Sequence, residues 1–203
     1  MGIRERIKPR FQDWAMGMMD DMRPDALSEA HGEVLEVGFG TARNLRHYPE
    51  AVESVTGIDP LVTEGVEAVE RRIARTPFPV VRTALRADTG LPFDAGRFDC
   101  IVTTWTLCSI PDALAALAEM RRVLKPGGRY LFIEHGRSEQ PSTARWQDRV
   151  NPLWRRLFDG CNINRSIDEL VAKGGFELTS LDRFPGKGPK LIANMYRGIA
   201  TRD

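Results

Sequence analysis

Residues 34 to 42 run Val34-Leu35-Glu36-Val37-Gly38-Phe39-Gly40-Thr41-Ala42, an apolar strand with a carboxylate near its end that enters a glycine turn. Gly38 and Gly40 let backbone come close to a ligand, because glycine has no Cβ and accepts positive φ. A helix after the turn would add free N–H groups there. Two ligand classes use such a turn. A dinucleotide sets its pyrophosphate on it and wants a third glycine three positions on, where this chain has Arg43. Glu36 would repel a pyrophosphate, whereas it suits a ligand that brings an ammonium group to the turn. The methionine half of S-adenosylmethionine is such a ligand, so the turn favours it over NAD.

The next strand adds an acid. Ser54-Val55-Thr56-Gly57-Ile58-Asp59-Pro60 ends on Asp59 about twenty residues beyond the turn, the separation at which a carboxylate reaches ribose hydroxyls. Asp59 and Pro60 would equally suit the entry of a helix near Val62. Glu36, Gly38, Gly40, Thr41, Asp59 and Pro60 are the candidate cofactor-binding residues from these two strands.

These residues need a sheet to hold them. From about residue 31 the chain alternates strand and helix, the pattern of a parallel sheet covered on both faces. Strands are predicted near residues 33 to 37, 54 to 58, 79 to 84, 98 to 104, 129 to 134, 177 to 183 and 191 to 198. Helices are predicted near 41 to 47, 62 to 75, 112 to 124, 142 to 158 and 166 to 173. Asp112 caps a helix whose Leu114, Leu117, Met120, Val123 and Leu124 fall at helical spacing, and Lys125-Pro126-Gly127-Gly128 stops it. Pro185-Gly186-Lys187-Gly188-Pro189 joins the last two strands as a hairpin with an antiparallel edge. The expected fold is α/β, a Rossmann-like doubly wound seven-stranded sheet, mostly parallel with an antiparallel C-terminal strand. Residues 31–203 would form this one domain.

Residues 1–30 stand apart as a helical lid or docking segment. Ile3, Ile7, Phe11, Trp14, Met18 and Met22 make a narrow apolar stripe beside Arg4, Arg6, Lys8 and Arg10, and Pro9 restarts the helix. Such a stripe either packs on the domain over its cofactor or meets a membrane surface through residues 1–22.

At 203 residues, with 42% hydrophobic and 28% charged, the chain can bury a substantial core. A formal charge of +1, without a basic run interleaved with aromatics, argues against nucleic acid as a partner. Cys100, Cys108 and Cys161 are odd in number and contain no C-x-x-C pair, so neither a disulfide framework nor a metal site is expected. They also lack the sequence clustering of an enzyme that methylates arsenite on bound thiolates. A reducing cytoplasm fits this cysteine use. There is no signal-peptide core and no apolar run long enough to span a bilayer.

The chain resembles class I S-adenosylmethionine-dependent methyltransferases over essentially its whole length after residue 30. Glu36-Val37-Gly38-Phe39-Gly40-Thr41 stands where the family has its E-x-G-x-G-T turn, and Asp59 where it has its ribose acid. Leu91-Pro92-Phe93 through Phe98-Asp99 resembles its L-P-F…F-D segment, and Arg122-Val123-Leu124-Lys125-Pro126-Gly127-Gly128 its R-x-L-K-P-G-G connection. The resemblance implies a contact to adenine just before L-P-F, where Asp88 is the candidate although the surrounding order departs from the usual one. It also implies that Thr104 offers its carbonyl to the ammonium, and that acceptor and methionine tail meet after the fourth strand.

A narrower likeness covers the second half. Leu107-Cys108-Ser109-Ile110, Phe132-Ile133-Glu134-His135, Trp146-Gln147-Asp148, Leu157 to Asn162 and Asn164-Arg165 resemble the thiol methyltransferases of the methyltransferase-like group and their bacterial relatives. That implies a small, lipophilic acceptor with a thiol as first choice; phospholipid and quinone methyltransferases are similar too. Methyl transfer from a sulfonium is an in-line displacement that asks the protein to align a nucleophile and exclude water. A base near a thiol raises its thiolate fraction, and His135, after the fifth strand, is the candidate. Trp105, Cys108, Glu134 and Asp159 are the candidate acceptor-side residues, with core packing the competing reading for Trp105 and Cys108 and an ion pair with Arg165 for Asp159. A nucleotide-dependent dehydrogenase and a binding module without turnover are the alternatives from other classes.

Overall fold

The computed structural model describes residues 16–60, 67–158 and 160–203. Seven strands form one sheet: β1 (Gly32–Val37), β2 (Val52–Asp59), β3 (Val80–Ala84), β4 (Phe98–Thr104), β5 (Leu124–His135), β6 (Glu177–Pro185) and β7 (Asn194–Thr201). The helices among the described residues are α1 (Arg23–Leu27), α2 (Glu67–Ile73), α3 (Ala113–Val123), α4 (Pro141–Leu157) and α5 (Ile167–Lys173). The strand order is β3-β2-β1-β4-β5-β7-β6. Contacts from β3 through β5 are parallel, and β7 runs antiparallel to both β5 and β6. The terminal hairpin therefore leaves β6, not β7, at the edge: its second strand inserts beside β5.

Alternation along the strands feeds both faces. Leu35, Val37, Ile101, Tyr130 and Phe132 bury one way against Leu117 and Met120 of α3 and Ile167 and Val171 of α5. Val34, Val55, Cys100, Val102 and Leu131 bury the other way with Leu27, Phe39 and Leu45. Asp112 caps α3 by accepting the Ala115 N–H at 3.0 Å. Within that helix Leu114 is 46% exposed, and Ala113 and Ala116 fill the buried stripe beside Leu117 instead. Leu124 is the first residue of β5 rather than the last of the helix.

The helix expected over residues 41 to 47 is only a 3₁₀ turn, Asn44–His47. Its residues are claimed elsewhere: Asn44 and Tyr48 turn their side chains back to Glu36, and Pro49 follows. No helix N-terminus is thus presented to the glycine turn. The Gly38 and Phe39 N–H groups donate instead to the Ile58 carbonyl, at 2.8 and 3.1 Å. Of the segment 1–30, residues 1–15 lie outside the described residues, which removes most of the apolar stripe from view. Met16, Met19 and Met22 pack against Ala26, Trp105, Ile133 and Met195, while Met18 faces out.

Gly38 has φ +83°, and a Cβ there would overlap the Thr106 side chain. Gly90 has φ +93° with open space around it. Gly38→Ala should cost about 2–4 kcal/mol of stability, the sum of left-handed strain and overpacking. Gly90→Ala carries the strain alone and should cost about 1–2 kcal/mol. Denaturant melts of the two variants check the difference.

Candidate functional site

Parallel pairing aligns the C-terminal ends of β1, β2 and β4, so Glu36, Asp59 and Thr104 reach one crevice. The described residues enclose about 100 Å³ between Met16, Arg23, Glu36, Gly38, Phe39, Gly40, Thr41, Arg43, Asp59, Thr104, Trp105 and Thr106. Whole small-molecule sites run to about 300–1,000 Å³. On size, this cavity would take only one end of a ligand.

That end is charged. Glu36 is 2% exposed, and its carboxylate accepts from Asn44 Nδ2 at 2.9 Å and from the Tyr48 hydroxyl at 2.7 Å. Burial pushes its pKa up to about 7, against the pull of Tyr48, Arg23 and Asn44. Arg23, from α1, is 3% exposed and lies over the Trp105 ring at 4.9 Å. Its Nε donates to Asp20 at 3.0 Å, and its Nη1 to Asn44 Oδ1 and to Thr104 Oγ1, the latter at 3.2 Å. Burial lowers the Arg23 pKa, and Asp20 and Glu36 oppose that shift. The Asn44 amide therefore bridges an anion and a cation that line the same cavity. A carboxylate facing an ammonium and a guanidinium facing a carboxylate would match an amino-acid zwitterion.

Asp59 accepts the Gly40 N–H at 3.0 Å and lines the crevice. Gly40 has φ +50°, and a Cβ there would meet only the Gly38 carbonyl, at 3.9 Å, so no side chain crowds this point of the turn. Thr41 lines the crevice while its carbonyl accepts from Arg72 at 2.6 Å. Pro60 is exposed one residue beyond Asp59 and is not among the lining residues. Arg43 pairs with Asp20 at 2.6 Å, so an ion-paired arginine fills the place that a dinucleotide turn gives to glycine. Asp88 stands apart: its carboxylate pairs with Arg86 at 2.8 and 3.0 Å and accepts the Asp112 N–H at 3.4 Å.

After β4, Trp105 takes φ +51°, a strained conformation for an aromatic residue. Its N–H donates to the Ile133 carbonyl at 2.8 Å, and its indole Nε1 is buried without a partner among the described residues. Glu134 is fully buried and accepts the N–H groups of Thr106, Leu107 and Cys108 at 3.1, 2.9 and 3.1 Å. Through these three bonds it fastens the loop after β4. Burial raises its pKa, and those three N–H groups oppose the shift. Asp159 lies outside the described residues.

The cysteines do cluster, contrary to the expectation from their spacing. The Cys108 and Cys161 sulfurs share a hydrogen bond at 3.7 Å, and a His135 nitrogen lies with them in one group. In sequence Cys161 lies 53 residues and His135 27 residues beyond Cys108, so spacing gives no sign of the cluster. The shared proton lowers the pKa of Cys161 and, with burial, raises that of Cys108; His135 adds to the lowering at Cys161. The His135 Nδ1 and Trp154 Nε1 atoms are buried with no partner among the described residues.

Residues 35–132 match the methyltransferase domain family. Human thiol S-methyltransferase TMT1A is 33% identical over 150 residues, which cover 73% of this chain and 61% of that protein. The chain belongs to the S-adenosylmethionine-dependent methyltransferases. A Bartonella tribocorum ubiquinone/menaquinone biosynthesis C-methyltransferase, UbiE, is 29% identical over 144 residues, 70% of this chain and 53% of that one. An S-adenosylmethionine-dependent methyltransferase from Thermotoga maritima superposes with a TM-score of 0.68 at 20% identity, covering 99% of this chain and 98% of its own. The cofactor of this family, S-adenosylmethionine, is a zwitterionic amino acid joined to a nucleoside. No helix among the described residues is long and apolar enough to cross a membrane.

Glu36 also links stability to pH. Its folded pKa, about 7, exceeds the ordinary 4.5, so the unfolded chain binds fewer protons at this group between those values. Stability then falls as pH rises through that window and levels off above it. Glu36→Gln removes the ionisation and should stabilise the cofactor-free methyltransferase at pH 8 relative to pH 4.5 by up to about 3 kcal/mol. Chemical melts of both proteins at the two pH values check this.

Proposed function

We propose that this methyltransferase S-methylates a small thiol. One observation carries the reading. His135, at the end of β5, groups with Cys108, which lies two residues past crevice-lining Thr106 in the loop after β4. The thiol S-methyltransferase name of the human relative supports it, and the chain spans about 61% of that relative's length.

In this reading Glu36 holds the cofactor ammonium, with the Thr104 carbonyl, and Arg23 holds the carboxylate. Asp59 takes the ribose hydroxyls beside the turn that carries Gly38, Gly40 and Thr41. Pro60 and Asp88 belong to the nucleoside side; with its carboxylate spent on Arg86, Asp88 would act through backbone. The cofactor supplies an electrophilic methyl group on a sulfonium. The protein's part is to exclude water, align the acceptor and remove its proton. In this reading Trp105 lines the crevice, Glu134 fastens the loop through the Cys108 N–H, and His135 accepts the thiol proton.

Quinone or phospholipid methylation is the second reading. The UbiE relative favours the quinone form. So does the exposed apolar edge of α4 and its end, where Trp146, Leu153, Leu157 and Phe158 are 58%, 62%, 66% and 44% exposed. The same edge, together with residues 1–22, would meet a membrane surface.

Labelled S-adenosylmethionine offered with hydrogen sulfide, alkyl thiols, phosphatidylethanolamine and a quinol precursor separates these readings. Transfer to a thiol is expected, and transfer confined to the quinol or the lipid overturns the thiol assignment. Asp59→Ala should weaken cofactor binding about tenfold or more, a loss of roughly 1.4 kcal/mol. Unchanged affinity by calorimetry would remove Asp59 from the site.

A further inference from the structure

We propose that Cys108, His135 and Cys161 form a three-ligand zinc site whose open fourth position takes a thiolate. Their donor atoms all lie within 4.8 Å of one another. Two thiolates bound to zinc at about 2.3 Å and at the tetrahedral angle lie about 3.8 Å apart. The Cys108 and Cys161 sulfurs are 3.7 Å apart. A disulfide needs about 2.05 Å. The spacing matches two ligands on one tetrahedral ion, and a His135 nitrogen lies within 4.8 Å of both sulfurs.

The three ligands are held in place without the ion. Glu134 accepts the Cys108 N–H, and the Cys108 carbonyl accepts both the backbone N–H and the side-chain Nδ2 of Asn162, each at 2.9 Å. Asn162 is itself gripped by Asn151, whose Nδ2 donates to Asn162 Oδ1 at 3.2 Å and whose Oδ1 accepts the Ile163 N–H at 3.0 Å. The loop that carries Cys161 is therefore clasped to the loop that carries Cys108. His135 is fixed by the antiparallel pairing of β5 with β7, opposite Met195.

Two buried nitrogens without a hydrogen-bond partner among the described residues adjoin this group. His135 Nδ1 makes no hydrogen bond among the described residues, as expected of an imidazole held for a ligand or a proton. The Trp154 Nε1, a donor only, adjoins Cys161 and suits a thiolate sulfur. Two thiolates and a neutral imidazole cancel the charge of a divalent ion, which limits the cost of holding it there.

Cys108 is buried, but Cys161 and His135 are partly exposed, so the fourth vertex opens on that side. Soft sulfur and imidazole donors select zinc over magnesium or calcium, and three protein ligands with one open position are the pattern of a reactive rather than a structural site. A thiol that takes the open position loses its proton to solvent and binds as thiolate. Use of this position by the methyl acceptor rests on the thiol reading above; the metal site does not. With zinc bound, His135 is a ligand, and the metal takes over its role in generating thiolate.

The experiment loads the full chain, reduced with a phosphine, with Co²⁺ as a spectroscopic stand-in for Zn²⁺. One equivalent should bind with tetrahedral visible bands and thiolate-to-cobalt charge transfer in the near ultraviolet, and Zn²⁺ should displace it. Cys161→Ser should reduce the charge-transfer intensity by about half, since one of two thiolates is gone. His135→Gln should keep that intensity and weaken affinity at least tenfold. Added methanethiol should raise the charge-transfer intensity as a third thiolate binds. Absence of a stoichiometric bound ion, a six-coordinate spectrum without charge transfer, or wild-type binding in both variants overturns the site. A cobalt spectrum that methanethiol leaves unchanged overturns the open thiolate position. Failure to methylate any thiol, with the cobalt results intact, instead defeats the proposed function and leaves the metal site standing.

Discussion

Burying the Glu36 carboxylate at the end of a parallel strand is the constraint on which the crevice depends. A carboxyl group removed from water must be given donors or be neutralised. Asn44 and Tyr48 supply the donors, and they do so by folding the chain after the glycine turn back toward the sheet. That return takes the place of the helix usual in nucleotide-binding turns. It also aligns Asn44 with Arg23, so the anion draws α1 over the crevice. The second buried carboxylate, Glu134, holds the neighbouring loop by three backbone N–H groups. Two glutamates therefore define the two sides of the site, the turn after β1 and the loop after β4.

The strands were legible because their signal is local. Apolar alternation and short runs placed all seven, and the proline-glycine hairpin placed the antiparallel partner. Which strand lies at the edge was not legible, because insertion of β7 beside β5 is decided by pairing across the sheet. The missing helix over 41 to 47 has the same origin: periodicity cannot tell that Asn44 is needed by Glu36. Leu114 faces water while Ala113 and Ala116 occupy the buried side of α3 with Leu117.

The site followed a similar division. Glu36, Gly38, Gly40, Thr41, Asp59, Thr104 and Trp105 all line one crevice, having been found through motifs that sit on strand ends. Asp88 did not join them, because its carboxylate is held by Arg86. Arg23 was missed entirely. It lies in a five-residue helix with no motif around it, and only tertiary packing brings it 3.2 Å from Thr104. Cys108 and Cys161 were dismissed as unclustered on their spacing, although the loops that carry them meet through Asn162.

Calorimetry of S-adenosylmethionine binding at pH 6, repeated in buffers of different ionisation enthalpy, tests the central claim that Glu36 meets the cofactor's ammonium. At that pH the free protein holds Glu36 largely protonated, since its pKa is about 7. Pairing with an ammonium requires the carboxylate. The account predicts release of close to one proton on binding by the wild-type chain, and of none by Glu36→Gln. Binding without proton release in the wild type, or equal release by the variant, would contradict it.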